Sequence, residues 1–332
     1  MNSSQKKNVK YLILFFLFSI FLGLYKGSYD ISIFDFLFGK TKEIEEFVLL
    51  KIRAPRVILA GLVGASLALS GSCLQGLFRN PLADPGLIGV SSGAALGAAI
   101  SIVIGSELIA NDFFKLYFLP FCAIVGSILV IIILSILTKG FKNSNITYII
   151  LAGIAINSLA GVGIGVLTYL SDDAELRGLT FWTMGSFEGM DWSIITPSCL
   201  IIIITTIWTT RFAKKLDILQ LGEHEALRIG VDVKKLKINI IISSAIVVGI
   251  STSLVGIIGF IGLVVPHLVR IIGGANHNYV IIGSIFSGAT LLILADMIAR
   301  IIIQPAQLPV GLITSAIGAP FFLWLIYNMK KT

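Results

Sequence analysis

Apolar runs long enough to cross a bilayer recur along this chain, and they limit what it can fold into. A hydrocarbon core about 30 Å thick is spanned by roughly 20 apolar residues in a helix. Inside that core every backbone N–H and C=O must find a partner, so a chain with many such runs folds as a helical bundle. Ten runs are legible: Tyr11–Leu24, Val57–Leu77, Ile88–Ile104, Leu116–Leu137, Thr147–Leu170, Ser193–Thr210, Ile238–Val255, Gly256–Ile272, Tyr279–Ala299 and Val310–Met329. The 332 residues are 56% hydrophobic and 13% charged. A soluble domain carries about 25% charged residues. No stretch is polar and long enough for a separate soluble domain. Residues 1–332 therefore read as one all-α, polytopic transmembrane domain of about ten helices.

Charge sets the orientation. Lys6 and Lys7 precede the first run, as in a secretory signal, but Tyr25-Lys26 follows it and no small-residue cleavage site does. The run reads as a retained helix with its N-terminus inside. The inner side then holds sixteen of the 25 Lys and Arg but only five of the 18 Asp and Glu, and the outer side is left at −4. That is the bias expected of cytoplasmic loops, with both termini cytoplasmic. The same bias accounts for the net charge of +7 without nucleic acid. Cys73, Cys122 and Cys199 lie in apolar runs without metal-ligand spacing and read as small core residues.

Small residues mark where helices touch. Ala60, Gly61, Gly64, Ala65, Ala68 and Gly71 recur in the second run, and Gly93 and Gly97 stand in GxxxG spacing in the third. Such residues allow close backbone approach between membrane helices. Between these two runs lie the polar Gln75 and the turn Arg79-Asn80-Pro81-Leu82-Ala83-Asp84-Pro85-Gly86. The fifth run carries Asn157, Ser158, Gly161, Gly163 and Gly165, which fits a helix facing protein or a watery path.

Catalytic and cofactor motifs fail on inspection. Gly39-Lys40-Thr41 ends like a phosphate-binding loop, but Phe34 stands where its first glycine belongs. His224-Glu225 begins a zinc-protease motif whose second histidine is replaced by Arg228. His267 is expected to bond a backbone carbonyl freed by Pro266, and His277 to lie in a short loop. Three scattered histidines make no metal site, and no nucleophile–base order appears. No cofactor is expected. Buried carboxylates that would carry protons in an ion-coupled transporter are nearly absent, and no inverted repeat is visible. Asp296 and Arg300, four apart near a helix end, can pair with each other.

The order of segments resembles the permease subunits of bacterial ABC importers for iron–siderophore complexes, haem and cobalamin, the FecCD-type permeases. The segments that carry it are Arg53–Arg56, Ser70–Gln75, Arg79–Pro85, Leu151–Ala155, Gly259–Arg270, Leu294–Arg300 and Leu308–Pro320. Asn278 stands where the family often has a basic residue, and Ile257 where proline is frequent. The resemblance implies a type II importer permease in the bacterial inner membrane. It would work as a homodimer with two copies of a separate ATP-binding subunit and a soluble binding protein. The cargo would be a metal chelate, with a ferric siderophore expected, and haem or cobalamin as alternatives. The competing classes are an ion-coupled secondary transporter and a membrane-embedded enzyme.

The resemblance also assigns residues. Arg53, Arg56 and Arg300 would receive the binding protein; snorkelling to headgroups, or pairing of Arg300 with Asp296, is the plain alternative. The inner loop 211–237 would couple to the ATPase through Leu221, Gly222, Glu223, Ala226 and Gly230. Leu219, Glu223, Ala226 and Leu227 can share one helical face there. Asn80, Pro81 and Leu82 would form the cytoplasmic gate. Asn157, Ser158, Thr314 and Ser315 would flank the path. The outer loop Ser171–Trp192 reads equally as an aromatic belt or as the family's short outer helix.

Overall fold

The computed structural model describes residues 1–27, 29, 36, 42–105, 112–140 and 146–329. Gly39–Thr41, Lys142, Lys330 and Lys331, used above for motif and charge readings, lie outside the described residues. Among the described residues the chain is helical, with no strand. In order, the helices are α1 (Ser3–Tyr25), α2 (Glu43–Phe78), α3 (Val90–Val103), α4 (Asp112–Gly140), α5 (Ile146–Leu170), α6 (Asp173–Thr183) and α7 (Trp192–Thr210). They continue as α8 (Ala213–Leu219), α9 (Glu223–Arg228), α10 (Val233–Val255), α11 (Ile261–Gly273), α12 (His277–Ile301) and α13 (Val310–Met329). Among the described residues seven helices are long and apolar enough to cross a membrane; α3, α11 and α13 are shorter apolar helices at the three remaining expected positions.

Helix α2 is the axis of the bundle. It packs against α12, α10, α11 and α7, and nearly all of its apolar stretch is buried within the chain. Its small residues explain how it fits. A Cβ on Gly64 would stand 2.2 Å from the carbonyl oxygen of Gly288, and one on Gly71 only 1.8 Å from that of Gly262. The backbones of α2, α12 and α11 therefore touch where only glycine permits it. The GxxxG pair of α3 works likewise: Gly93 and Gly97 lie against the backbone of α4 at Gly126 and Cys122. By contrast, α1 and α5 leave most of their apolar surface outside the chain's own core.

The α10–α11 boundary has a stereochemical cause. Gly256 (φ 73°) ends α10, and Phe260 (φ 68°) starts α11, with unwound backbone between them. Helix α11 thus begins at Ile261, a few residues later than the hydrophobic run suggested. Asp172 caps α6 in a reciprocal capping box with Glu175, so the segment Ser171–Trp192 contains a short helix.

Candidate functional site

The expected functional residues fall at the two ends of the bundle. At one end, the first part of α2 includes a π-helical turn, Val48–Arg53, and Arg53 and Arg56 at and just after it are buried. Asp296 is fully buried. Its Oδ1 accepts from the Arg56 guanidinium at 2.8 Å, and its Oδ2 lies 3.1 Å from Arg300 Nε. Arg56 also donates to Gln307 Oε1 at 2.6 Å, and Arg300 Nη2 to the Gly23 carbonyl at 2.9 Å. Arg53 donates to the carbonyls of Leu24, Tyr25 and Tyr29.

This geometry corrects the picture of three presented arginines. Arg53, Arg56 and Arg300 are 4%, 6% and 5% exposed, so none offers a free guanidinium in this conformation. They tie the ends of α1, α2 and α12 together. The expected Asp296–Arg300 pair is present, and Arg56 makes it a triad. Arg56 lies 240 residues from Asp296 in sequence, so only the fold discloses it.

At the other end, α2 stops at Arg79, whose left-handed backbone (φ 49°) lets the following N–H, that of Asn80, fold back onto the Gln75 carbonyl at 3.1 Å. That conformation costs a non-glycine residue about 1 kcal/mol. Asn80 follows, its Oδ1 accepting from the Leu82 N–H at 2.9 Å in an Asx-turn around Pro81. Asn80 and Pro81 are exposed and Leu82 is half-buried. Gln75, the polar residue of the apolar run, donates to the carbonyls of Gly262 and Leu263 at 3.2 Å and accepts from Arg270. It binds α11 to the last turn of α2. Beyond the turn, Asp84 caps the short 3-10 segment Pro85–Ile88 by accepting from the Gly86 N–H at 2.8 Å. It borders a cavity of about 170 Å³ whose lining includes Ser91, Ser92, Ser251 and Thr252 beside apolar residues such as Leu67 and Val255. Burial pushes its carboxyl above the ordinary range, partly offset by the Gly86 N–H.

The segment 211–237 folds as two short helices, α8 and α9, separated by Gly222 (φ 120°) and closed by Gly230 (φ 90°). The single helical face expected of Leu219, Glu223, Ala226 and Leu227 is broken there. Leu219 and Ala226 are fully buried, whereas Leu227 is 57% exposed. Ala226 therefore seats α9 on its own chain and presents nothing outward. The outward residues are Leu221, Leu227 and Ile229, all more than half exposed. Leu227 was expected on one face with Leu219 and Ala226, and Ile229 was missed in sequence, although apolar residues among charges in a loop were the available signal.

Ion pairs fix this segment to the bundle. Glu223 binds Lys237 of α10 at 2.9 Å, with the Lys237 side chain buried, and lies 4.0 Å from Arg79 at the turn. Asp217 of α8 accepts from the His277 backbone N–H at 2.8 Å and pairs with His277 Nδ1 at 2.7 Å. Gln220 donates to the Gly76 carbonyl at 2.8 Å. His277 is thus a buried first residue of α12, not a free loop residue.

The expected path residues divide. Ser158 is exposed on α5, and Ser315 is half-buried on α13. Asn157 is half-buried and donates to the Gly86 carbonyl at 3.3 Å, tying α5 to the segment after the turn. Thr314 is turned inward at 2% exposure, its hydroxyl bonded to the Gly311 carbonyl, so it does not line an open surface in this conformation. The His267 ring packs edge-on against Phe321, and its Nδ1 has no hydrogen-bond partner, in place of the expected carbonyl. Among the described residues no cluster of three His, Cys, Asp or Glu could hold a metal ion.

Comparison with known proteins agrees with this architecture. The model of the FecCD transport family matches residues 11–328. The chain is 42% identical over 325 residues to the hemin transport system permease protein HmuU of Yersinia pestis, covering 96% of each chain. It is 34% identical over 330 residues to the vitamin B12 import system permease protein BtuC of Escherichia coli O9:H4, covering 98% of each. A solved structure described as an inward-facing metal-chelate type ABC transporter superposes with a TM-score of 0.86 at 31% identity, covering 97% of this chain and 99% of that one. A family match over nearly the whole length, with a shared fold, leaves one conclusion: the chain belongs to the FecCD transport family.

Proposed function

We propose that this chain is the membrane permease of an ABC importer that brings a metal chelate into a bacterial cell. The observation that carries the reading is the family match over residues 11–328, which reaches from within α1 to the end of the described bundle at α13. The chain holds no nucleotide-binding loop of its own, so ATP would be hydrolysed by a separate subunit seated on Leu221, Leu227 and Ile229 around α9. The turn Asn80–Leu82 would be the inner gate, and two copies would meet along α5 and α13, whose outer faces find few partners within one chain. The Arg79 end faces the cytoplasm, in keeping with its excess of Lys and Arg.

The Arg53 end receives a soluble binding protein. Arg53, Arg56 and Arg300 shape its rim from within. Arg56→Glu would set a second carboxylate against Asp296 and deform that rim. A binding-protein association rate unchanged by Arg56→Glu would argue against docking at this place.

For the cargo, the 42% identity to a hemin permease favours haem over the ferric siderophore expected from the family alone. The test is uptake by cells lacking their own chelate permeases. They would express this chain with its partner ATPase and binding protein and receive iron-labelled haemin, a ferric hydroxamate or cyanocobalamin in parallel. Haemin accumulation that needs ATP supports the reading. Accumulation of the hydroxamate alone would return the assignment to siderophores, and accumulation of none would reject chelate import.

A further inference from the structure

Three helix ends meet at the inner side of the bundle, and the contacts among them form a closed set. The last four carbonyls of a helix have no partner within it. In α2 the Gly76 carbonyl finds one in Gln220, at the end of α8, at 2.8 Å. The first N–H groups of α12 are likewise orphaned, and that of His277 is taken by Asp217 of the same α8. The Asp217 carboxylate also holds the His277 ring at Nδ1, and its Oδ2 lies 3.4 Å from Asn276 Nδ2. The ring then reaches back to α2: a Cβ on Gly76 would stand 2.4 Å from His277 Nε2. One short helix, α8, therefore caps two transmembrane helices at once, and the imidazole wedges them together. Gly76 stands four residues before Asn80, and Glu223, just after α8, lies 4.0 Å from Arg79.

We propose that Asp217, His277 and Gly76 form a clasp through which the ATPase-docking segment moves the inner end of α2 and the gate turn attached to it. This rests on the coupling reading given above and adds its path. Asp217 and His277 are positioning residues: they touch neither nucleotide nor cargo. Because the ring of His277 occupies the space that any larger residue at position 76 would need, a displacement of α8 that carries His277 must displace Gly76. Push and pull both act, the first through the wedged ring and the second through the Gln220 bond.

The test uses the full complex with its ATPase subunits in proteoliposomes. Spin labels at Leu82 of the two permease copies report the distance across the gate with and without ATP, which needs no knowledge of the cargo. Gly76→Ala should drive the ring off its seat and reduce the nucleotide-driven change in that distance at least three-fold, with the ATPase still bound. Adding His277→Asn should restore it. Asparagine keeps an amide near the position of Nδ1 for Asp217 and removes the ring atoms that collide with the methyl group added at position 76. Gln220→Ala, at an exposed side chain that leaves no cavity, should weaken the response while lowering the melting temperature by no more than about 2 °C. If Gly76→Ala and the double variant are equally impaired, or both respond like the wild type, the clasp is overturned while the coupling reading stands. If the wild type retains no ATPase, or its Leu82 distance ignores nucleotide, the coupling reading falls and the clasp with it.

Discussion

Replacing Asp296 by alanine is the sharpest test of what Arg56 and Arg300 do. Asp296 has no solvent exposure, and the side chains of Arg56 and Arg300 are 7% and 6% exposed. The carboxylate meets Arg56 at 2.8 Å and Arg300 at 3.1 Å, so one negative charge serves two positive ones. Removing one partner of a buried ion pair costs about 3–5 kcal/mol, because the remaining charge is left without compensation. Here two guanidinium groups are left, which puts the expectation at the upper end of that range. For a chain of this size 1 kcal/mol moves the melting temperature by about 2 °C. Asp296→Ala should therefore lower it by about 8–10 °C in detergent. Asp296→Asn keeps an acceptor for one arginine and should cost about half as much. The triple change Arg56→Met, Asp296→Leu, Arg300→Met removes every charge together and should melt within a few degrees of the wild type, since a buried triad adds little over a packed apolar one. The assay is thermal unfolding of the purified permease followed by tryptophan fluorescence. A shift below about 2 °C for Asp296→Ala, less than 1 kcal/mol, would mean that the arginines do not depend on this carboxylate, and the structural role given to them here would be refuted.

Three further outcomes are expected. Leu227→Asp combined with Ile229→Asp should abolish copurification of the ATPase while leaving the fold intact, because both side chains are exposed; retained ATPase would move the docking surface elsewhere. Gly71→Ala should destabilise by about 3 kcal/mol or more, since its methyl group would overlap the Gly262 carbonyl, whereas Gly161→Ala, with open space around it, should be neutral or slightly stabilising; equal melting temperatures for the two would contradict the close packing of α2 on α11. The Asp84 carboxyl has its pKa raised in the folded chain by burial, so its contribution to stability is fullest below the ordinary carboxylate range and is lost as pH rises through the raised value. Asp84→Asn, which keeps an acceptor for the Gly86 N–H, should flatten that part of the stability–pH curve, and an unchanged curve would count against burial of the charge.

The sequence alone determined the class of fold, because a bilayer allows few solutions and runs of about 20 apolar residues read directly as helices. It also placed the turn after α2, since Pro81 and Pro85 punctuate any helix, and the close contacts of α2, since small residues in an apolar run have few other uses. The i, i+4 pair Asp296–Arg300 was legible because helical spacing is local. Which way a side chain faces was not. Leu219 and Ala226 turned inward and Leu227 outward because Gly222, at φ 120°, separates α8 from α9, and the heptad-like spacing does not survive that break. The partners of Arg56, Asp217 and Gly76 lie 60 to more than 200 residues away in the chain. Only the tertiary structure decided those, because such contacts depend on how rigid helices pack side by side, and no local pattern of residues encodes which helix ends will meet.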